Sequence, residues 1–279
     1  MSVVSFWGNS RRETGQTLSV VAIGTAMAIE HNYKILIIST GFRDDTMQDC
    51  FWEKNKNSSM YSVTGQKQPG INSGFEGLVK IIQSNRTSSN IIRDYAKVVF
   101  KDRLDVLLSP TTDDPRVYNS MTQYYKDLIV LADKEYDLVL IDIDKRMNVN
   151  DKKEILRNSN AIMFTLKQSS DSIETAKILR ESNPETKSNN IFFLVGKYDF
   201  DSKYNTKNIT RYLRETREIS AVPYNKLFDE AAMEGKVADY FLKYRGMRDQ
   251  TDKNVKFIAE TNRTCENIIY KLQELQMRM

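Results

Sequence analysis

The residues Gly8-Asn9-Ser10-Arg11-Arg12-Glu13-Thr14-Gly15-Gln16-Thr17 stand between an apolar run and a helix-forming stretch that opens Leu18-Ser19-Val20-Val21-Ala22. A strand, a loop of this length and a helix of small residues form a phosphate cradle, because backbone N–H groups and the positive end of the helix converge on the turn. A second position with chemical potential is Asp142, which closes the run Tyr136-Asp137-Leu138-Val139-Leu140-Ile141-Asp142. An acidic residue at the end of an apolar strand is where nucleotide-binding folds hold magnesium through water. Each feature has a plain alternative: a strand-to-helix turn that binds nothing, and an exposed strand-end aspartate.

Other chemistries lack material. His31 is the only histidine, near a helix end, where a cap or surface role suffices. Cys50 and Cys265 lie far apart without metal-ligand spacing, so no zinc site or Cys/His nucleophile is indicated and both are expected to be reduced. The formal charge of +4 comes from 41 basic and 37 acidic residues, a near balance that argues against a concentrated DNA-binding field. No run approaches the roughly 18 apolar residues of a membrane span, and the N-terminus lacks the regions of a signal peptide, so a cytoplasmic protein is expected.

The elements that must position the loop and Asp142 are legible from apolar patterning. Continuous apolar runs at 3–7, 35–39, 106–108, 138–141, 161–166 and 191–195 suit parallel strands covered on both faces. Helical spacing fills the intervals at 18–30, 77–82, 117–134, 171–181, 204–215, 226–234 and 252–275. This alternation predicts βαβ units and a mostly parallel, doubly wound α/β sheet flanked by helices. The 279 residues suit one such domain. Residues 44–73 are polar and weakly periodic, a switch-like loop with room for one short helix. The final segment is expected to pack on the sheet, since Glu260, Glu266 and Glu274 interrupt its basic face; an amphipathic membrane helix is the alternative.

The opening loop resembles the deviant Walker A loop of the MinD/ParA family, Lys-Gly-Gly-x-Gly-Lys-Thr. On that pattern Arg11 takes the place of the signature lysine, Arg12 and Glu13 replace two glycines, and Gly15 is kept. Gln16 replaces the phosphate-binding lysine, and Thr17 keeps the hydroxyl that ligates magnesium. The resemblance thus implies a nucleotide-binding set of Arg11, Arg12, Thr14, Gly15, Gln16, Thr17 and Leu18, with Thr17 and Asp142 on the metal. Gln16 can donate hydrogen bonds to phosphate but has no charge to offset it, so weak hydrolysis is expected. The strand that normally ends Asp-x-Asp ends here in Ser39-Thr40-Gly41, a second loss of hydrolytic parts; Asp44 and Asp45 are the nearby acids. Pro223 and Tyr224 stand in the family's adenine-lining segment, and Gly196 occupies the place of its base-contacting asparagine.

Within the family the chain looks most similar to the degenerate branch related to CpaE and TadZ, implicated in localising Tad-type pilus or secretion machinery. The resemblance implies ATP or ADP with Mg²⁺, a homodimer across bound nucleotide, at most a slow ATPase, and a positioning or scaffold role for a pilus or secretion assembly. Membrane contact is then indirect, through a partner, at the inner face or a cell pole. The alternatives are an active ParA-type ATPase in DNA segregation, with Arg11 or Arg12 as replacement cation, and an interaction module that has lost nucleotide.

Overall fold

Successive side chains of a strand point to opposite faces, and the computed structural model shows the continuous apolar runs dividing between two cores on that principle. It describes residues 1–8, 14–53, 74–85, 91–182, 190–216, 218–249 and 251–277. In β2 (Ile35–Ser39), Ile35 and Ile37 enter one core while Leu36 and Ile38 enter the other. In β5 (Leu138–Asp142), Leu138 and Leu140 oppose Val139 and Ile141 in the same way. β1 (Ser2–Trp7) sends Val4 and Phe6 to the first core, and β6 (Ala161–Leu166) sends Ala161 and Met163 there and Ile162, Phe164 and Leu166 to the opposite side.

Among the described residues eight strands form one sheet in the order β3-β4-β2-β5-β1-β6-β7-β8. The added members are β3 (Lys97–Phe100), β4 (Leu104–Leu107), β7 (Ile191–Tyr198) and β8 (Ser220–Pro223). All pairings are parallel except β3 with β4, which is antiparallel at the edge. The mostly parallel doubly wound sheet expected from the sequence is therefore present.

One face is covered by α1 (Gln16–Glu30), α2 (Thr46–Phe51), α10 (Lys226–Glu234), α11 (Val237–Tyr244) and α12 (Lys253–Met277). The other is covered by α3 (Gly74–Gln83), α4 (Ile91–Tyr95), α6 (Tyr125–Ala132) and α7 (Val149–Arg157), with α8 (Ser170–Ser182) and α9 (Thr206–Leu213) over β6, β7 and β8. The last helix packs inward as expected: Thr264 donates to the Ala221 carbonyl at 2.7 Å, and buried Cys265 lies against the Ile23 carbonyl.

One expectation needs correction. The stretch 117–134 is two helices, α5 (Pro115–Thr122) and α6, because Thr122 turns its hydroxyl to Asp151 and the chain tightens through a Tyr124 N–H to Met121 carbonyl bond. Pro223 sits at the end of buried strand β8; as an edge-strand residue it gives up no ladder hydrogen bond. The short helix for which the polar segment had room is α2, which buries Met47, Cys50 and Phe51; residues 54–73 of the segment lie outside the described residues.

Candidate functional site

Ligands of open α/β sheets sit outside the carboxyl ends of the strands, where neighbouring connections diverge. β1, central in the sheet between β5 and β6, delivers the Gly8 turn and the N-terminus of α1 to that edge. Gly15 is the residue before α1, with φ at +66°, a left-handed conformation that glycine adopts without strain, and among the described residues no side chain caps the helix. The first-turn amides of a helix have no intrahelical acceptor, so this end is disposed toward an anion. Thr14 is buried beside it, whereas Leu18 packs partly into the core and offers only its backbone. Arg11, Arg12 and Glu13 lie outside the described residues.

Gln16 and Asp142, separated by 126 positions, meet under the loop. The Gln16 amide nitrogen donates to Asp142 Oδ1 at 2.7 Å, to the Ile143 carbonyl at 3.0 Å and to the Phe6 carbonyl at 3.2 Å. Thr17 Oγ1 donates to Asp142 Oδ2 at 2.7 Å. The residue in the lysine position thus turns inward and spends its donors on the strand ends. Asp142 is 8% exposed, and among the described residues no cation pairs with it. Burial pushes its carboxyl up to about 6, against the lowering effect of the Thr17 and Gln16 hydrogen bonds; Asp44 and Asp144 push it in the same upward direction as burial.

The second strand ends beside this pair, since Ser39 is in register with Asp142. With no acid at Ser39 or Gly41, the local polar groups satisfy one another. Thr40 Oγ1 donates to the Asp142 carbonyl at 3.0 Å and accepts from the Asp144 amide at 2.7 Å. Tyr118 and Tyr125 donate to the carbonyls of Thr40 and Ser39 at 2.5 and 3.2 Å. Burial raises the Asp144 carboxyl, but hydrogen bonds from Arg146 and from the Phe42 amide outweigh it and hold the group below its ordinary value. Asp44 instead accepts from the amide and hydroxyl of Thr46 at the start of α2, so neither it nor Asp144 offers a free replacement for the missing strand-end acids. Thr40, Asp144 and Arg146 had no recognisable signal; the nearest was the repeated acid in Asp142-Ile143-Asp144.

β7 and β8 carry the residues expected to line a base. Gly196 is set so tightly against the loop that a Cβ there would meet the Thr14 carbonyl oxygen at 2.0 Å. No asparagine fits at this position while the loop holds this shape. Pro223 is buried, and Tyr224, anchored by its amide to the Tyr198 carbonyl at 2.9 Å, leaves its ring half exposed at the same edge.

The donor set fits a nucleotide phosphate with magnesium. Two buried polar atoms around the turn, Gln16 Oε1 and Ser19 Oγ, lack any protein partner among the described residues. A Cβ on Gly8 would stand 3.3 Å from Gln16 Oε1, and one on Gly196 would stand 3.1 Å from Ser19 Oγ, which places these groups at the loop. Unsatisfied buried groups cost about 1–3 kcal/mol each, and a polar ligand or water relieves that cost. Thr17 and Asp142 bring a hydroxyl and a carboxylate together at this edge, groups of the kind that would hold magnesium beside a phosphate.

No protein-family model and no curated protein matches the sequence. Solved structures do match in fold. A ParA family ATPase from Chlorobium tepidum TLS superposes with a TM-score of 0.68 at 16% identity, over 92% of this chain and 98% of that one. The cell division ATPase MinD of Pyrococcus furiosus gives 0.62 at 13% identity, over 96% of this chain and 100% of that one. The septum site-determining protein MinD of Pyrococcus horikoshii, solved with Mg-ADP, gives 0.62 at 12% identity, over 96% of this chain and 95% of that one. The chain therefore has the fold of the MinD and ParA ATPases, with the β1–α1 turn and Asp142 together at the carboxyl edge of its sheet.

Proposed function

We propose that the protein binds ATP or ADP with Mg²⁺ at the turn between β1 and α1, turns it over slowly or not at all, and uses the bound state to dimerise. The observation that carries this is Gln16, whose side-chain nitrogen is held by Asp142 and two strand-end carbonyls. A lysine there places charge on the transferring phosphoryl group; a neutral amide turned toward the strands leaves that charge unbalanced at the step where stabilisation matters most. The loop amides, Gly15, Thr17 and Asp142 support binding without supporting turnover. Magnesium, when bound, screens the phosphate oxygens; Thr17 and Asp142 hold it, while Gly15 lets the loop backbone approach. Pro223 and Tyr224 line the base, and Arg11 and Arg12 belong to the loop by the family pattern.

The sequence resemblance to the degenerate CpaE- and TadZ-related branch supports a positioning or scaffold role in a pilus or secretion assembly, exercised by the nucleotide-bound homodimer. The test is titration of Mg-ATP and Mg-ADP against the full chain, followed by melting temperature and by phosphate release. Binding that raises the melting temperature with little phosphate released is the expected result. Rapid hydrolysis unaffected by Gln16→Ala would refute the proposal. A nucleotide-free interaction module is the second function to weigh, favoured by the closeness of Gly196 to the Thr14 carbonyl; it predicts no shift with either nucleotide.

A further inference from the structure

A phosphate at this loop meets helix-end amides and hydroxyls, while the side chain in the lysine position is neutral and turned inward. One cation reaches the loop from a different element. Lys197 follows Gly196 near the end of β7, and its side chain lies along the loop backbone: a Cβ on Gly15 would stand 2.7 Å from Lys197 Cγ and 3.5 Å from Cδ. Two missing Cβ atoms make this approach possible, at Gly15 under the side chain and at Gly196 against the Thr14 carbonyl. Lys197 itself holds φ at +49°, a left-handed backbone that a residue with a Cβ adopts at a cost of order 1 kcal/mol. The chain accepts that conformation at the residue that lies over the loop.

Among the described residues the ammonium is held by a single loose contact. Its partner is Asp229, in the first turn of α10, at 3.4 Å, longer than the about 2.7–2.9 Å of a tight charged hydrogen bond. The Lys197 side chain is 41% exposed, and an ammonium has three donors, so one loose carboxylate contact leaves capacity for another anion. The orphaned Ser19 Oγ beside the same turn, a buried hydroxyl able to donate, points independently to a polar ligand there.

We infer that Lys197 supplies the positive charge for the phosphates of a nucleotide bound at the β1–α1 turn, replacing from β7 the lysine that the loop lacks. Asp229 holds the ammonium when phosphate is absent and yields it when phosphate arrives. This rests on the nucleotide-binding function proposed above and assigns its electrostatic affinity to one residue. A lysine on this side of the loop screens bound phosphate but does not restore the inward charge at position 16, so affinity and turnover separate.

The test is isothermal titration of Mg-ADP into the full chain at low and high salt, with Lys197→Met, Lys197→Arg and Asp229→Asn as variants. Lys197→Met is expected to weaken binding about tenfold, equivalent to about 1.4 kcal/mol, and to flatten the salt dependence. Lys197→Arg keeps the charge and should remain within about threefold of the parent. Asp229→Asn removes the same ion pair but keeps the ammonium, and should bind Mg-ADP as tightly as the parent or tighter. If Lys197→Met binds like the parent, the inference fails while the nucleotide function stands. Equal losses in Lys197→Met and Asp229→Asn would also overturn it, because the pair would then merely brace the fold. A parent chain that binds no nucleotide removes both the function and the inference.

Discussion

Replacing Asp142 by asparagine should stabilise the protein above neutral pH and have little effect in acid. The carboxyl is buried with its pKa raised from 3.8 to about 6, so the folded chain retains a proton that the unfolded chain has lost. Stability from this group is therefore full below pH 3.8 and falls as pH rises toward 6, the reverse of an ion-paired aspartate. The whole shift is worth about 3 kcal/mol at roughly 1.4 kcal/mol per unit, and about 2 kcal/mol of it falls between pH 4.5 and 7.5. Asparagine preserves the shape and can preserve both contacts: its oxygen accepts from Gln16, and its amide donates to Thr17 once that hydroxyl rotates. Urea unfolding of parent and variant at several pH values gives the difference curve, in which the other titrating groups cancel. The Asp142→Asn advantage should grow by about 2 kcal/mol from pH 4.5 to 7.5. A difference that is flat with pH would refute the burial argument, and one that grows toward acid would mean that a cation pairs with Asp142.

Two further substitutions probe the same ground. Gln16→Lys places an ammonium where Gln16 Nε2 now stands 2.7 Å from Asp142 Oδ1, so the carboxyl should return toward its ordinary value; the pH dependence above should shrink, and phosphate release from ATP should rise at least about tenfold. No change in the pH profile would show that position 16 does not control Asp142. Gly196→Asn, which reinstates the residue typical of the resembling family, drives a Cβ into the Thr14 carbonyl and should cost about 2 kcal/mol or more in urea unfolding; an unchanged midpoint would mean that the loop moves freely off β7.

Much of the scaffold was legible because a buried parallel strand writes itself as an unbroken apolar run. The residues of β2 divide between two cores, yet every one of them is apolar except the terminal serine, so no alternation is needed to find the strand. Strand β3 escaped notice because it is a short edge element with Lys97 and Val98 exposed and no continuous apolar signature. Helix α7 escaped because its buried contribution is Ile155, too little to impose a helical period on a charged sequence. At the site, the loop pointed to Gln16 and Thr17 and the apolar run ending in an acid pointed to Asp142, but two of the three hydrogen bonds that turn Gln16 inward join residues far apart in the chain and depend on the β1–β5 register. Lys197 left no local trace: a lysine near a strand end is unremarkable until the fold lays it along Gly15.

The central claim is that nucleotide binding and turnover have been separated in this chain. Its most direct measurement is incubation of the purified full chain with Mg-ATP, isolation of the bound nucleotide by rapid filtration, and identification of what was held. Bound nucleotide should be recovered mainly as intact ATP, with binding weakened by Thr17→Ala because the hydroxyl proposed to hold magnesium is removed. Recovery of ADP with stoichiometric phosphate on a time scale of seconds, or of no bound nucleotide at all, would contradict the claim.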